Sequence, residues 1–286
     1  MGISISIKAG TNAATSSVNA SGSVQHIITT TEKKTFGIQD AGLKNAVGKY
    51  FGRNPNDAYL HSDTPWGDLY KTYNWPQVQT VLVVQSATIT GITSEPVIVA
   101  TKIFSNNSSK KATFNASISD QVNNTTESNW SQTDTVSVEQ KIKYEIGFLG
   151  TGGGGETSMS YSHSWGKGGS ESMSITVGSD SGVSVELAPG ESVEAQLSAS
   201  RGVMKVRVVY KAYLTGSTAI NYNPTFKGHH FFSLPIDGVM EAGGLSTIRE
   251  FTEDIEIGYY SNSKVELKDP TGKLRAVYFA ADKAAA

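Results

Sequence analysis

From Thr135 to Trp165 the chain reads TVSVEQKIKYEIGFLGTGGGGETSMSYSHSW, and its polarity alternates residue by residue. The even positions of the first half are Val136, Val138, Gln140, Ile142, Tyr144, Ile146 and Phe148, while the odd ones include Glu139, Lys141, Lys143 and Glu145. Beyond a loop from Leu149 to Glu156 that holds five glycines, the phase inverts. Thr157, Met159, Tyr161, His163 and Trp165 then share one side, and Ser158, Ser160, Ser162 and Ser164 the other. A period of two over this length predicts two long strands joined as a hairpin.

Two environments suit such a hairpin. It can line the edge of a soluble sheet with its apolar face on a core. It can also cross a bilayer, which takes about 9 to 11 residues per tilted strand, apolar outward and polar toward a wet lumen. The charged and serine ladders favour the bilayer, as do Tyr144, Tyr161 and Trp165, residue types that settle at membrane interfaces. On that reading Val136, Val138, Ile142, Tyr144, Ile146, Phe148, Met159, Tyr161 and Trp165 face lipid. Glu139, Lys141, Lys143, Glu145, Ser158, Ser160 and Ser162 face the lumen. Gln140 and His163 interrupt the apolar face, at a cost if they lie at the bilayer midplane.

Elsewhere helical spacing of Leu43, Val47, Tyr50 and Phe51 predicts a helix over Asp40–Phe51, stopped by Gly52. A second helix starts at Thr64-Pro65, with a capping hydroxyl and Leu69, Tyr70 and Tyr73 on one side. Residues 1–35 read as short strands or an arm. Val78 to Ile92 and Val97 to Phe104 read as strands divided by a GITSEP turn. The stretch from Phe114 past Trp130 runs toward the hairpin without a strong breaker, as one very long strand or two end to end. The odd phase continues through Met173, Ile175, Val177, Val183, Val185 and Leu187. After Ala188-Pro189-Gly190 it resumes at Val193, Ala195 and Leu197, with further strands at Val203–Leu214 and Ile255–Tyr260. No repeat of fixed period is present. The fold class is mainly β, with long antiparallel strands and a small α+β head.

Composition agrees. Serine and threonine make up 62 of 286 residues, an excess that suits wet, two-faced strands rather than a helical enzyme. The net charge of -2 gives no basic surface for nucleic acid. With no cysteine, disulfides, thiolate metal sites and thiol catalysis are excluded together. No apolar run of helix-spanning length occurs, and no secretory signal is visible in the chain.

Catalytic chemistry is not expected, nor is a cofactor or a metal. GTGGGGE lacks the Lys-Ser/Thr and following helix of a phosphate loop. His26, His61, His163, His229 and His230 have no ligand spacing. GGSES at Gly168–Ser172 misses the nucleophile-elbow pattern. For surface contact the candidates are the aromatics Tyr50, Phe51, Tyr59, Trp66, Tyr70, Tyr73, Trp75, Phe231, Phe232, Tyr259 and Tyr260, a residue class enriched at binding surfaces. The competing role for each is to fill a small core beside the helices.

A long Ser/Thr-rich strand, an amphipathic hairpin, a second long Ser/Thr-rich strand and the turn-and-strand ELAPGESVEAQL together resemble the aerolysin-like β-pore-forming proteins. The likeness spans roughly Val97 to Gly216 and is nearest to the epsilon-toxin and mosquitocidal-toxin branch, while the first 90 residues look like a spherulin-like head. The resemblance implies a secreted or released soluble protein. Its head domain, residues 1–95 with 218–286, would bind an unknown protein or glycan receptor on a target-cell membrane. A pore module, residues 96–217, would assemble as a homo-oligomer and insert the 135–165 hairpin of each subunit into one transmembrane barrel. In the docked state the apolar face would lie against the body, with little to hold it there. The rival reading is a non-lytic β-rich storage, spore-coat or carbohydrate-binding protein of the same architecture.

Overall fold

A computed structural model describes residues 2–131, 141–151, 155–166, 168–179 and 183–279. In chain order its elements are β1 Ser4–Ala9, β2 Ser17–Ser21, β3 Ser23–Ile27, α1 Thr30–Thr35, α2 Asp40–Phe51, β4 Asp57–Tyr59, α3 Pro65–Tyr73, β5 Gln79–Ser105, β6 Ala112–Asn115 and β7 Ile118–Trp130. They continue with β8 Lys141–Thr151, β9 Gly155–Ser164, β10 Gly169–Ser179, β11 Ser184–Leu187, β12 Ser192–Thr215, β13 Ser217–Phe226, β14 His229–Pro235, α4 Ile236–Gly243, β15 Ile248–Lys268 and β16 Leu274–Phe279.

Three strands dominate. β12 pairs antiparallel with β5 on one side and β15 on the other, nearly end to end. At 24 residues β12 alone spans roughly 80 Å at the usual rise per strand residue. The main sheet runs β10-β7-β15-β12-β5-β3, with β16 also on β15. A second sheet, β2-β1-β8-β9, packs its apolar face on it, and β14-β13-β4 with α2, α3 and α4 close the head end.

Both expected helices form. α2 covers Asp40–Phe51 and ends at Gly52 with φ 97°, a left-handed cap that glycine adopts without penalty. In α3 the first turn is different from expectation. Trp66, Gly67 and Asp68 have positive φ, and the Thr64 hydroxyl accepts from the Leu69 N–H at 2.7 Å, so the right-handed turns start only there. The N-terminal arm holds a helix that the strand reading missed. Thr29 and Glu32 form a capping box at the start of α1, legible as T-x-x-E.

Two strand expectations are corrected. The GITSEP segment is no turn, because β5 passes through it while pairing with β12, Pro96 opposite Ser200. Proline, lacking an N–H, is tolerated there because β3 covers β5 only from Gln79 to Val83 and the outer side at Pro96 is a sheet edge. Nor is the run from Phe114 a single strand, because β6 and β7 belong to different sheets. β7 belongs to the main sheet and β8 to the second, and the chain between them lies outside the described residues. The sequence boundary between residues 95 and 96 falls inside β5, and β15 lies wholly on the long sheet.

Among the described residues the interior holds two large apolar clusters and a small one of Leu69, Tyr70 and Ala219. The larger joins the head (Phe36, Leu43, Ile236, Met240) to the even face of β12 and to β8. The other lies at the far end, where Val193, Ala195 and Leu197 of β12 meet Ile175, Val177, Val265 and Leu267. The buried parity of β12 switches from odd, through Ala199, to even, from Gly202, across a register shift at Ser198/Ser200. Opposite that shift Asn262 takes φ 51°, and its neighbours Ser261 and Ser263 are buried. An extra residue in one strand of a pair produces such a shift.

Candidate functional site

The hairpin forms as the alternation predicts. β8 and β9 pair antiparallel with Ile142 opposite His163, Tyr144 opposite Tyr161, Ile146 opposite Met159 and Phe148 opposite Thr157. Cross-strand aromatic pairs of this kind stabilise a ladder, and here the Tyr144 and Tyr161 rings stack 4.8 Å apart. Ile142, Tyr144, Ile146, Phe148, Met159 and Trp165 are buried against the body, and Tyr161 and His163 are partly buried. Lys141, Lys143, Glu145, Ser158, Ser160 and Ser162 all face solvent. Lys143 pairs with Glu145 on the same face at 2.6 Å. Val136, Val138, Glu139 and Gln140 lie outside the described residues.

The expectation that little holds the hairpin is overturned. β8 is an inner strand, paired parallel to β1 over six positions from Ser4/Lys143 to Ala9/Phe148. Trp165 closes the far end, with ring centroids 4.6 Å from Trp130, 4.9 Å from Tyr210 and 5.7 Å from Phe251. Beneath Tyr144 sits Glu253 of β15, fully buried on the same side as Phe251, Ile255 and Ile257. Its Oε1 accepts from the Ser128 hydroxyl at 2.5 Å and the Tyr144 hydroxyl at 2.7 Å, and its Oε2 from the Tyr210 hydroxyl at 2.6 Å. Burial lifts the Glu253 carboxyl above the ordinary carboxylate range, and the three hydroxyls and the nearby His163 offset only part of this. Sequence reasoning passed over Glu253, although an acid standing in the apolar phase of FTEDIEI was its visible signal.

A second buried acid has the opposite balance. Burial would raise Glu32, but hydrogen bonds from His26, the Thr29 N–H and Thr80 outweigh it and hold the carboxyl low. That cluster ties α1 to β3 and β5 in the head. Of the other histidines, His61 Nε2 lies 3.0 Å from the Lys33 ammonium and His230 contacts the Tyr222 carbonyl at 2.7 Å. Among the described residues no three His, Asp or Glu side chains converge as metal ligands would.

The receptor candidates divide. Tyr50, Trp66 and Tyr73 are 41%, 47% and 50% exposed, large fractions for aromatic side chains. Trp66 lies 5.1 Å from Phe231 and 6.2 Å from Tyr59, and Tyr73 stacks on Trp75 at 4.8 Å. Tyr59, Trp75 and Tyr260 are partly buried, as are Phe51, Phe231 and Phe232. Tyr70 and Tyr259 are interior and not available to a receptor in this conformation. Both spend their hydroxyls on the backbone, Tyr70 on the carbonyls of Tyr59 and Ser217 and Tyr259 on that of Gly10.

Comparison with known proteins fits this geometry. No family profile matches the chain. It is 42% identical over 249 residues to U-megalopygitoxin(8)-Mc8 of Megalopyge crispata, covering 86% of this chain and 85% of that one. U-megalopygitoxin(8)-Mo12 of Megalopyge opercularis is 41% identical over the same share. Among solved structures, parasporin-2, a Bacillus thuringiensis toxin that recognizes cancer cells, superposes with TM-score 0.64 over 90% of this chain and 100% of its own, at 16% identity. The fold is thus that of the aerolysin-like β-pore-forming toxins, and the chain belongs to the U-megalopygitoxin(8) family.

Proposed function

We propose that the protein is a secreted, non-enzymatic pore-forming toxin. It binds a target-cell membrane through its head, gathers into a ring and releases the β8–β9 hairpin from each subunit to build one transmembrane barrel. The observation that carries this reading is the two-faced hairpin itself, docked by its apolar side on a fold shared with pore-forming toxins while its charges and serines already face water. Transfer to lipid exchanges one apolar environment for another and leaves the polar ladder wet. The arms of 11 and 10 residues match the roughly 9 to 11 that a tilted membrane strand requires.

The ring follows from backbone chemistry. A single inserted hairpin leaves N–H and C=O groups along both outer edges unpaired in hydrocarbon, at several kcal/mol each, so only a closed barrel is stable. The exposed aromatics Tyr50, Trp66 and Tyr73 of the head supply the proposed membrane or receptor contact.

The test uses vesicles loaded with a self-quenched dye and vesicles of susceptible cells' lipid extract, together with single cysteines along β9 labelled with an environment-sensitive fluorophore. Dye release, detergent-resistant oligomers and an alternating response are expected, with labels at Met159 and Tyr161 entering lipid and those at Ser158, Ser160 and Ser162 staying in water. Oligomers without that alternation would sink the hairpin assignment. Absence of release and oligomers on receptor-bearing cells would return the protein to the non-lytic reading.

A further inference from the structure

We propose that Glu253 is a proton-coupled catch on the hairpin, holding β8 shut in acid and letting it go as the carboxyl passes ionised into water. The consequence for pores rests on the insertion reading above, but the catch itself operates in the soluble protein.

The geometry is specific. Glu253 stands on the long body strand β15, and its hydroxyl partners come from three other elements, Ser128 on β7, Tyr210 on β12 and Tyr144 on the hairpin. Only the Tyr144 bond joins the carboxyl directly to β8. Tyr210 is itself boxed by Trp130 and Trp165, with ring centroids 5.2 and 4.9 Å away, so water is kept off one side of the cluster. Among the described residues, the titratable groups facing Glu253 are Tyr144 from β8, Tyr161 and His163 from β9 and Tyr210 from β12. The next charge outward is Glu171 of β10, 3.5 Å from His163. Lys143 and Glu145 project from the opposite face of β8. Among the described residues no lysine or arginine pairs with the carboxyl, and its partners are hydroxyls.

Such a site favours a neutral acid. While the hairpin is docked the carboxyl titrates above its ordinary value of 4.5, and once β8 lifts away water reaches it and the ordinary value returns. The docked state therefore binds the proton more tightly than the released state. By linkage, lowering the pH favours docking, and raising it through the window between the ordinary and the docked values favours release. Within that window one proton's coupling moves the equilibrium by about tenfold per pH unit.

Hydrogen exchange of the β8 amides, followed in the membrane-free protein as a function of pH, reads the opening directly. Wild type and Glu253→Gln are compared at each pH, which cancels intrinsic exchange. Opening in wild type relative to the variant should rise with pH by up to about tenfold per unit and then level off. His163→Gln should keep the wild-type slope. Identical profiles for wild type and Glu253→Gln, or loss of the slope in His163→Gln, would overturn the catch. Should Glu253→Gln not fold, carbon-13 titration of the Glu253 carboxyl in wild type decides instead. A midpoint above ordinary glutamate supports the proposal, and one at or below it refutes it. A working catch in a protein that releases no dye would count against the pore reading alone, and dye release with no catch against the catch alone.

Discussion

The parallel pairing of β1 with β8 makes it possible to lock the hairpin by a covalent bond. Ser6 and Glu145 are register partners on the outward face of the two strands, and both are exposed. Neighbouring strands lie about 4.8 Å apart, inside the roughly 4.4 to 6.8 Å between Cα atoms that a disulfide spans. The chain has no cysteine, so Ser6→Cys with Glu145→Cys introduces the only possible bridge. Without the bridge, release strips burial from Ile142, Tyr144, Ile146 and Phe148. At about 1.5 to 3 kcal/mol for each such side chain this opposes release by about 6 to 12 kcal/mol. The Tyr144–Glu253 hydrogen bond adds about 0.5 to 1.5 kcal/mol with the carboxyl in the neutral form that the site favours. Spontaneous opening is therefore rare, on the order of one molecule in ten thousand or fewer at 1.4 kcal/mol per decade, and on the insertion reading membrane-bound assembly supplies the difference. The oxidised variant should bind vesicles or cells normally and leak no more dye than a protein-free control, and a reductant should restore leakage. Either single cysteine should behave as wild type. Full leakage from protein whose bridge is confirmed by mass would show that β8 never leaves β1, and the insertion account would fail.

Other outcomes can be checked more simply. Trp66→Ala or Tyr73→Ala should weaken binding to target cells while changing stability by less than about 0.5 kcal/mol, read by flow cytometry and urea unfolding, since both rings are half exposed. Lys143→Glu reverses a charge on the solvent-facing ladder and should move pore selectivity toward cations, seen as a shifted reversal potential in a planar bilayer under a salt gradient. The depressed Glu32 carboxyl adds stability that is present above its unfolded value near 4.5 and is lost as pH falls through the lower folded value. Glu32→Gln should flatten that acid limb and cost about 1 to 3 kcal/mol at neutral pH, measured by denaturant midpoints. Acid thus loosens the head at Glu32 and tightens the hairpin at Glu253.

How much of this could be read from the residues depended on the range of the interaction. The hairpin was legible because its two faces differ at nearly every step from Lys141 to Phe148, and α2 because a helical stripe ends on Gly52. The capping box of α1 was present as T-x-x-E but was masked by the β-like composition around it. Long-range placement was not legible. Nothing local says that β8 lies beside Ile5 and Ile7 of β1, or that Tyr144 meets an acid 109 residues away. Pro96 misled because a proline ends an inner strand but not an edge, and which strand is an edge is settled by partners elsewhere in the chain. Tyr70 and Tyr259 look like contact aromatics by type, and only the backbone carbonyls they reach show them to be internal.

The union of β1 with β8 also fixes an order of assembly. Ribosomes finish the first of these strands well over a hundred residues before the second, so it must wait with one flank open while β2 covers only the other. Contacts of such sequence separation form slowly, because the loop-closure entropy comes due before the contact rewards it. On the insertion reading, a pairing that must wait for its partner during synthesis is the same pairing that comes undone when the hairpin is released.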